Sequence, residues 1–138
     1  MSRCVVLDSE AMSALAGRPS KRQQEVRAAL AVAARLEREV IVPALVLAEL
    51  YRGRGRSSLV DACLSRETGI LVRATDRSFA RLVGGILTGA RAGSELIVDA
   101  HAVAAAVEMG GGIILTGDPV DLARLAAPYR DVQVVDIG

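Results

Sequence analysis

A chain of 138 residues, 51% hydrophobic with a formal net charge of +1, can fill one core, and its overall field names no partner. Tyr51, Phe79 and Tyr129 are the only aromatics, which disfavours base-stacking platforms for nucleic acid and predicts an aliphatic, Ala-rich core. Two cysteines without metal-type spacing, a single histidine and no run of about 18 apolar residues argue against zinc and membrane spans; the expectation is one soluble, cytoplasmic domain over residues 1–138.

In chain order, Cys4 to Leu7 reads as a short, continuously apolar strand of the kind covered on both faces. A short helix from Ser9 to Leu15 follows, then a break at Gly17, Pro19 and Ser20. Lys21 to about Glu37 reads as a long helix with Val26, Ala29, Leu30, Ala33 and Leu36 on one face. Val40 to Val42 is a second strand, and Pro43 opens a helix that carries Glu49 and stops at Gly53. Ser57 or Ser58 is expected to cap the next helix, through Leu64. Ile70 to Val72 forms strand three. Thr75 or Asp76 caps a helix with Phe79, Leu82, Val83, Ile86 and Leu87 on its apolar face. A loop from Thr88 to Ser94 leads to a helix from about Val98 to Met109. Gly110 to Gly112 turn into strand four, Ile113 to Thr116. Asp118-Pro119 opens a helix to about Ala126, and Val132 to Val135 is strand five. Strict alternation of β and α predicts a three-layer α/β/α domain with a mainly parallel sheet.

Four acids stand at the edges of these apolar elements. Asp8 ends the first strand and Asp118 follows the fourth. Asp99 stands at the mouth of an Ala/Val-rich helix, and Glu49 lies within Pro43-Ala44-Leu45-Val46-Leu47-Ala48-Glu49-Leu50. Each has an ordinary explanation. Asp8, Asp99 and Asp118 are placed to cap helices, and Glu49 could face solvent or pair with Arg52 at i+3. Jointly they suggest more. If strands one and four are neighbours, Asp8 and Asp118 end at the same rim of the sheet, where α/β proteins bind ligands. Carboxylates gathered there would repel one another unless a cation neutralised them. An all-oxygen set suits Mg²⁺ or Mn²⁺, and such a site can activate water and stabilise a phosphoryl transition state. All basic residues except Lys21 are arginine, a bias that composition alone explains, but Arg52, Arg54 and Arg56 cluster directly after Glu49 and are candidate phosphate contacts.

The chain resembles PIN-domain ribonucleases, and among them the VapC-type toxins of bacterial toxin–antitoxin pairs. The matching pieces are Val5-Val6-Leu7-Asp8-Ser9 with Ala14-Leu15, Ala48-Glu49-Leu50-Tyr51-Arg52-Gly53, Val98-Asp99-Ala100-His101 with Ala104-Ala105, and Thr116-Gly117-Asp118-Pro119 with Asp121-Leu122. The resemblance implies a five-stranded sheet of order 3-2-1-4-5 and a Mg²⁺- or Mn²⁺-dependent endoribonuclease. It implies Asp8, Glu49, Asp99 and Asp118 as the metal-binding and catalytic acids. Ser9, Thr116 and Asp121 would support them, with Asp121 an alternative fourth acid and Glu95 a further, more peripheral one. Ser9 stands where Thr is common, and Asp121-Leu122 replaces the usual aromatic. The implied partners are an RNA substrate, a small antitoxin and a second copy of the chain in a homodimer. An antitoxin tail would set an arginine among the acids, with Phe79–Leu87 and Pro43–Leu50 as candidate contact faces.

Two other readings compete. A catalytically weak PIN-like module that binds RNA or protein would keep the fold without turnover. A receiver-type signalling domain also ends a strand in an acid, but the acidic pair and the late lysine expected of it are missing. No Gly-x-x-x-x-Gly-Lys-Ser/Thr occurs, which excludes a P-loop enzyme.

Overall fold

The computed structural model of the chain describes residues 3–138. Its elements in order are β1 (Cys4–Leu7), α1 (Ser9–Ala16), α2 (Lys21–Arg35), β2 (Glu39–Pro43), α3 (Ala44–Leu50), α4 (Arg54–Arg66) and β3 (Ile70–Arg73). Then come α5 (Arg77–Gly89), a 3₁₀ turn (Ser94–Leu96), α6 (Ile97–Glu108), β4 (Gly112–Thr116), α7 (Pro119–Ala126) and β5 (Val132–Asp136). The five strands form one sheet of order β3-β2-β1-β4-β5. Every pairing is parallel, with Val6 opposite Ile41 on one side and Ile114 on the other.

The alternation of side chains along each strand divides the core in two. Val6, Ile41 and Ile114 face Phe79, Val83 and Ile86 of α5, the alanines of α6, and Leu122 and Leu125 of α7. Val5, Leu7, Val42 and Leu115 face Met12 and Leu15 of α1, Val26 of α2, Val46 of α3 and Val60 of α4. Helix α6 is buried along Ala100–Ala106, as an Ala/Val helix apolar on all sides must be. Both cysteines are buried and unbonded, and burial pushes the Cys4 thiol up to about 11, so they serve as small core residues. No helix among the described residues is long and apolar enough to cross a membrane.

Several boundaries differ from those expected. Helix α4 begins at Arg54, because Gly53 adopts φ 94° and turns the chain directly into it; no side chain caps this end, and the Ser58 hydroxyl donates back to the Arg54 carbonyl at 2.9 Å. Helix α2 ends at Arg35, and Leu36, expected on its apolar face, is exposed. Asp76 caps α5 by accepting from the Phe79 N–H at 2.9 Å. Thr75 is engaged with His101 instead, and α5 continues through Gly89. The faces offered as contact surfaces are occupied by the chain's own core: Phe79, Val83 and Ile86 of α5 and Val46, Leu47 and Leu50 of α3 are buried.

Candidate active site

The carboxyl ends of β1 and β4 lie side by side, since Leu7 pairs with Leu115. The chain leaves β1 through Asp8, whose carboxylate accepts the Ala11 N–H at 2.8 Å and so caps α1. Capping does not exhaust this residue. Asp8 is 6% exposed, and burial pushes its carboxyl up to about 6, against the lowering effect of hydrogen bonds from Thr116 and from the Ala11 and Glu10 backbone. Thr116 ends β4 with its side chain fully buried. Its hydroxyl accepts the Asp118 N–H at 2.9 Å and lies near enough to Asp8 to hold that carboxyl's proton affinity down. The hydroxyl therefore sits between the acid after β1 and the turn after β4.

Asp99 approaches from α6. It is the third residue of that helix rather than its cap: the Ser94–Leu96 turn runs straight into α6, and Leu96 occupies the cap position. The N-terminus of α6 favours its negative charge. Burial is nevertheless the largest influence and pushes the Asp99 carboxyl up to about 6. The charges of Asp8, Asp121, Glu49 and Asp118 add to the rise, in that order. All four acids thus bear on Asp99, and Asp121 acts more strongly than Asp118. Asp121 is half-buried in the first turn of α7, while Asp118 and Glu49 are exposed. Glu49 makes no ion pair with Arg52.

Among the described residues, no three His, Cys, Asp or Glu side chains are grouped tightly enough to hold an ion as they stand. The donor chemistry still fits a hard divalent cation. All the donors are oxygens, two of the acids are substantially buried, and the charges of the others raise the proton affinity of Asp99.

Residues 5–128 match the family model described as PIN domain. The chain belongs to the PIN-domain family. The PIN domain described here also superposes on solved structures along nearly its whole length. VapBC2 from Rickettsia felis, solved bound to a promoter DNA fragment, is similar with a TM-score of 0.66 at 13% identity, covering 96% of this chain and 98% of that one. FitAcB from Neisseria gonorrhoeae is similar with a TM-score of 0.64 at 19% identity, covering 96% and 97%. At these identities the likeness is one of fold. No curated protein matches the chain.

Beside the acids the PIN domain has an open cleft of about 450 Å³ between α1, the α1–α2 corner, α3 and the start of α4. Ser9, Glu10, Ser13, Arg18, Ser20, Arg22, Glu49 and Arg56 line it. The structure therefore divides the arginine cluster: Arg56 reaches this cleft, whereas Arg52 and Arg54 are exposed and do not line it. Ser9 also lines the cleft. Glu95 is exposed on the turn before α6 and accepts the Gly93 N–H at 3.2 Å, a surface role.

Two residues near the rim escaped sequence reasoning. Arg22 of α2 pairs with Glu10 at 2.9 Å and donates to the carbonyls of Gly117 at 3.4 Å and Gly138 at 2.5 Å. It braces the β4–α7 turn against α1. At Gly117 a Cβ would meet only the far ends of the Glu10 and Arg22 side chains. Arg18 is the second, carried by the α1–α2 corner. His101, two residues past Asp99, is committed to the core. Its Nδ1 lies 2.7 Å from the Ile97 carbonyl, its Nε2 lies 3.0 Å from the Thr75 hydroxyl, and its ring meets Phe79 edge-on. The carbonyl requires Nδ1 to carry the proton, so Nε2 accepts from Thr75.

Proposed function

We propose that this PIN domain, with residues 1–138 acting as one unit, is a Mg²⁺- or Mn²⁺-dependent endoribonuclease and the toxin of a cytoplasmic toxin–antitoxin pair. The observation that carries the reading is the convergence of acids on Asp99: Asp8 and Asp99 are both pushed up to about 6, and Asp121, Glu49 and Asp118 bear on the same carboxylate. Asp8, Asp99 and Glu49 would hold the metal, with Asp118 or Asp121 as the fourth acid. Asp121 is the better supported of the two, because it is less exposed and acts more strongly on Asp99. When bound, the cation neutralises the acids and supplies Lewis-acid stabilisation of the phosphoryl group.

The chain's own residues do the rest. An acid of the group left free of the cation would accept a proton from water attacking a backbone phosphodiester. Thr116 holds the Asp118 backbone beside Asp8, so the turns after the two strands stay together. Ser9, beside Asp8 and open to the cleft, can orient water or a substrate oxygen. Arg56, with Arg52 and Arg54 farther out, supplies positive charge for the flanking backbone. A nuclease of this kind needs restraint within its own cell. The antitoxin inferred from the VapC-type resemblance would set a basic side chain among the acids, where an arginine fork pairs well with carboxylates. A homodimer is part of the same reading.

Incubation with single-stranded RNA tests it. Cleavage with Mg²⁺ or Mn²⁺ that stops in EDTA and returns on metal addition is the expected result. Cleavage indifferent to EDTA refutes the metal mechanism. RNA binding without cleavage in either metal would favour the binding module, the reading to which the loose spacing of the acids lends weight.

A further inference from the structure

The cleft beside the acids holds three arginines and two glutamates, and their partners separate their roles. Arg22 is spent on Glu10 and on the Gly117 and Gly138 carbonyls, so it serves the wall. Among the described residues, Arg18 and Arg56 enter no ion pair or side-chain hydrogen bond. Both are exposed and both line the cleft, in company with the hydroxyls of Ser9, Ser13 and Ser20.

The backbones that carry them are held firmly. The Gln23 side-chain amide reaches the carbonyls of Ala14, Leu15 and Gly17 at 3.3, 3.2 and 2.9 Å, and Ser20 caps α2 by accepting the Gln23 N–H at 3.0 Å. This fixes the corner from which Arg18 projects. Arg56 stands in the first turn of α4, which packs against α1. Two unpaired guanidinium groups thus line one open cleft from separate, mutually packed elements, and Ser9 joins that cleft to Asp8.

We infer that Arg18 and Arg56 form a phosphate-binding subsite for single-stranded RNA, holding a backbone phosphate next along the strand from the one presented to the acids. This inference deepens the nuclease reading and rests on it for the identity of the polymer. The acids repel a bare phosphate, so a substrate needs a positive anchor to one side. The cleft provides one without aromatic stacking, and contacts of this kind position a strand without reading its sequence. Arginine's planar fork suits a phosphate.

The test is binding of a labelled short oligouridylate in EDTA, followed by fluorescence anisotropy across a salt series. The wild type is compared with the double variants R18A/R56A and R18K/R56K. Each phosphate neutralised on a single strand contributes about 0.7 to the slope of log affinity against log salt, so loss of the one phosphate held by the pair should flatten the slope by about 0.7. Between about 50 and about 200 mM salt, the wild type should lose about 2.6-fold more affinity than R18A/R56A, and the lysine variant should keep the wild-type slope. Circular dichroism confirms that each variant is folded. An unchanged slope in folded R18A/R56A overturns the subsite, even if the protein cleaves RNA with metal. A flattened slope in a protein that never cleaves RNA keeps the subsite and removes the nuclease. Equal, arginine-dependent binding of an oligoglutamate of the same charge overturns the RNA assignment in favour of an acidic protein segment.

Discussion

In metal-free protein the Asp8 charge should oppose folding, and Asp8→Asn should relieve that opposition. Asp8 is 6% exposed and its carboxyl rises from 3.8 to about 6 on folding, chiefly through burial. Below about pH 3 the carboxyl is protonated in both states and its contribution vanishes. Between about pH 4 and 6 the folded chain keeps a proton that the unfolded chain has lost, so stability falls as pH rises through that window and levels off above it. The rise corresponds to a loss on the order of 3 kcal/mol at pH 8 relative to pH 4. Asp99 acts in the same direction, but its greater exposure brings more solvent screening and a smaller effect. Asparagine remains a good N-cap, so α1 should survive the substitution. The assay is urea unfolding in EDTA at pH 4 and pH 8. Relative to wild type, Asp8→Asn should gain on the order of 3 kcal/mol more at pH 8 than at pH 4. Parallel pH profiles for the two proteins would refute the reasoning, because they would mean that Asp8 titrates alike in the folded and unfolded chain.

Asp99→Asn should reduce RNA cleavage by at least about a hundredfold while leaving the fold intact, as a cleavage assay with circular dichroism would report. Undiminished cleavage would remove Asp99 from the site. Thr116→Val strips the buried hydroxyl from Asp8 and from the Asp118 N–H. It should cost about 1–3 kcal/mol in urea unfolding, and unchanged stability would show that the Asp118 N–H finds an equal partner without it. Gly117→Ala meets only the flexible ends of Glu10 and Arg22, whose side chains are 40% and 43% exposed, so the brace should swing aside and stability should fall by less than about 1 kcal/mol; a larger loss would show that the brace is rigid. Co-expression with the product of the adjacent gene should give an inactive complex that regains nuclease activity once the partner is removed, and a freely active chain that retains no partner would count against the toxin reading.

The sheet was legible because its signals are local. Short apolar runs such as Cys4–Leu7 and Ile113–Thr116, separated by helical periodicity, dictate parallel strands covered on both faces. The residues themselves left the pairing of β1 with β4 that brings Asp8 beside Thr116 as a condition, and the PIN-domain resemblance implied it. Asp8, Thr116 and Asp99 were visible as polar residues at the ends of apolar elements. Contacts between residues distant in the chain were not visible. Arg22 reaches Gly138 across 116 positions, so nothing near Arg22 announces the brace. Arg18 stands at the break between α1 and α2, and only the packing of α4 on α1 brings it to the cleft with Arg56. The arginine repeat misled in the opposite way. Gly53 starts α4 four or five residues earlier than the serines suggested, which turns Arg54 and Arg56 from loop residues into helical ones and sends only Arg56 to the cleft. The preference for Asp121 over Asp118 likewise depends on how α7 leaves β4, which spacing alone left open.

Mn²⁺ binding, read from the loss of the free-ion signal in electron paramagnetic resonance at neutral pH, tests the central claim most directly. The wild type should bind the ion at the acids, and Asp8→Asn and Asp99→Asn should each weaken binding severely while remaining folded. Binding that is absent from the wild type, or unchanged in both variants, would contradict the account.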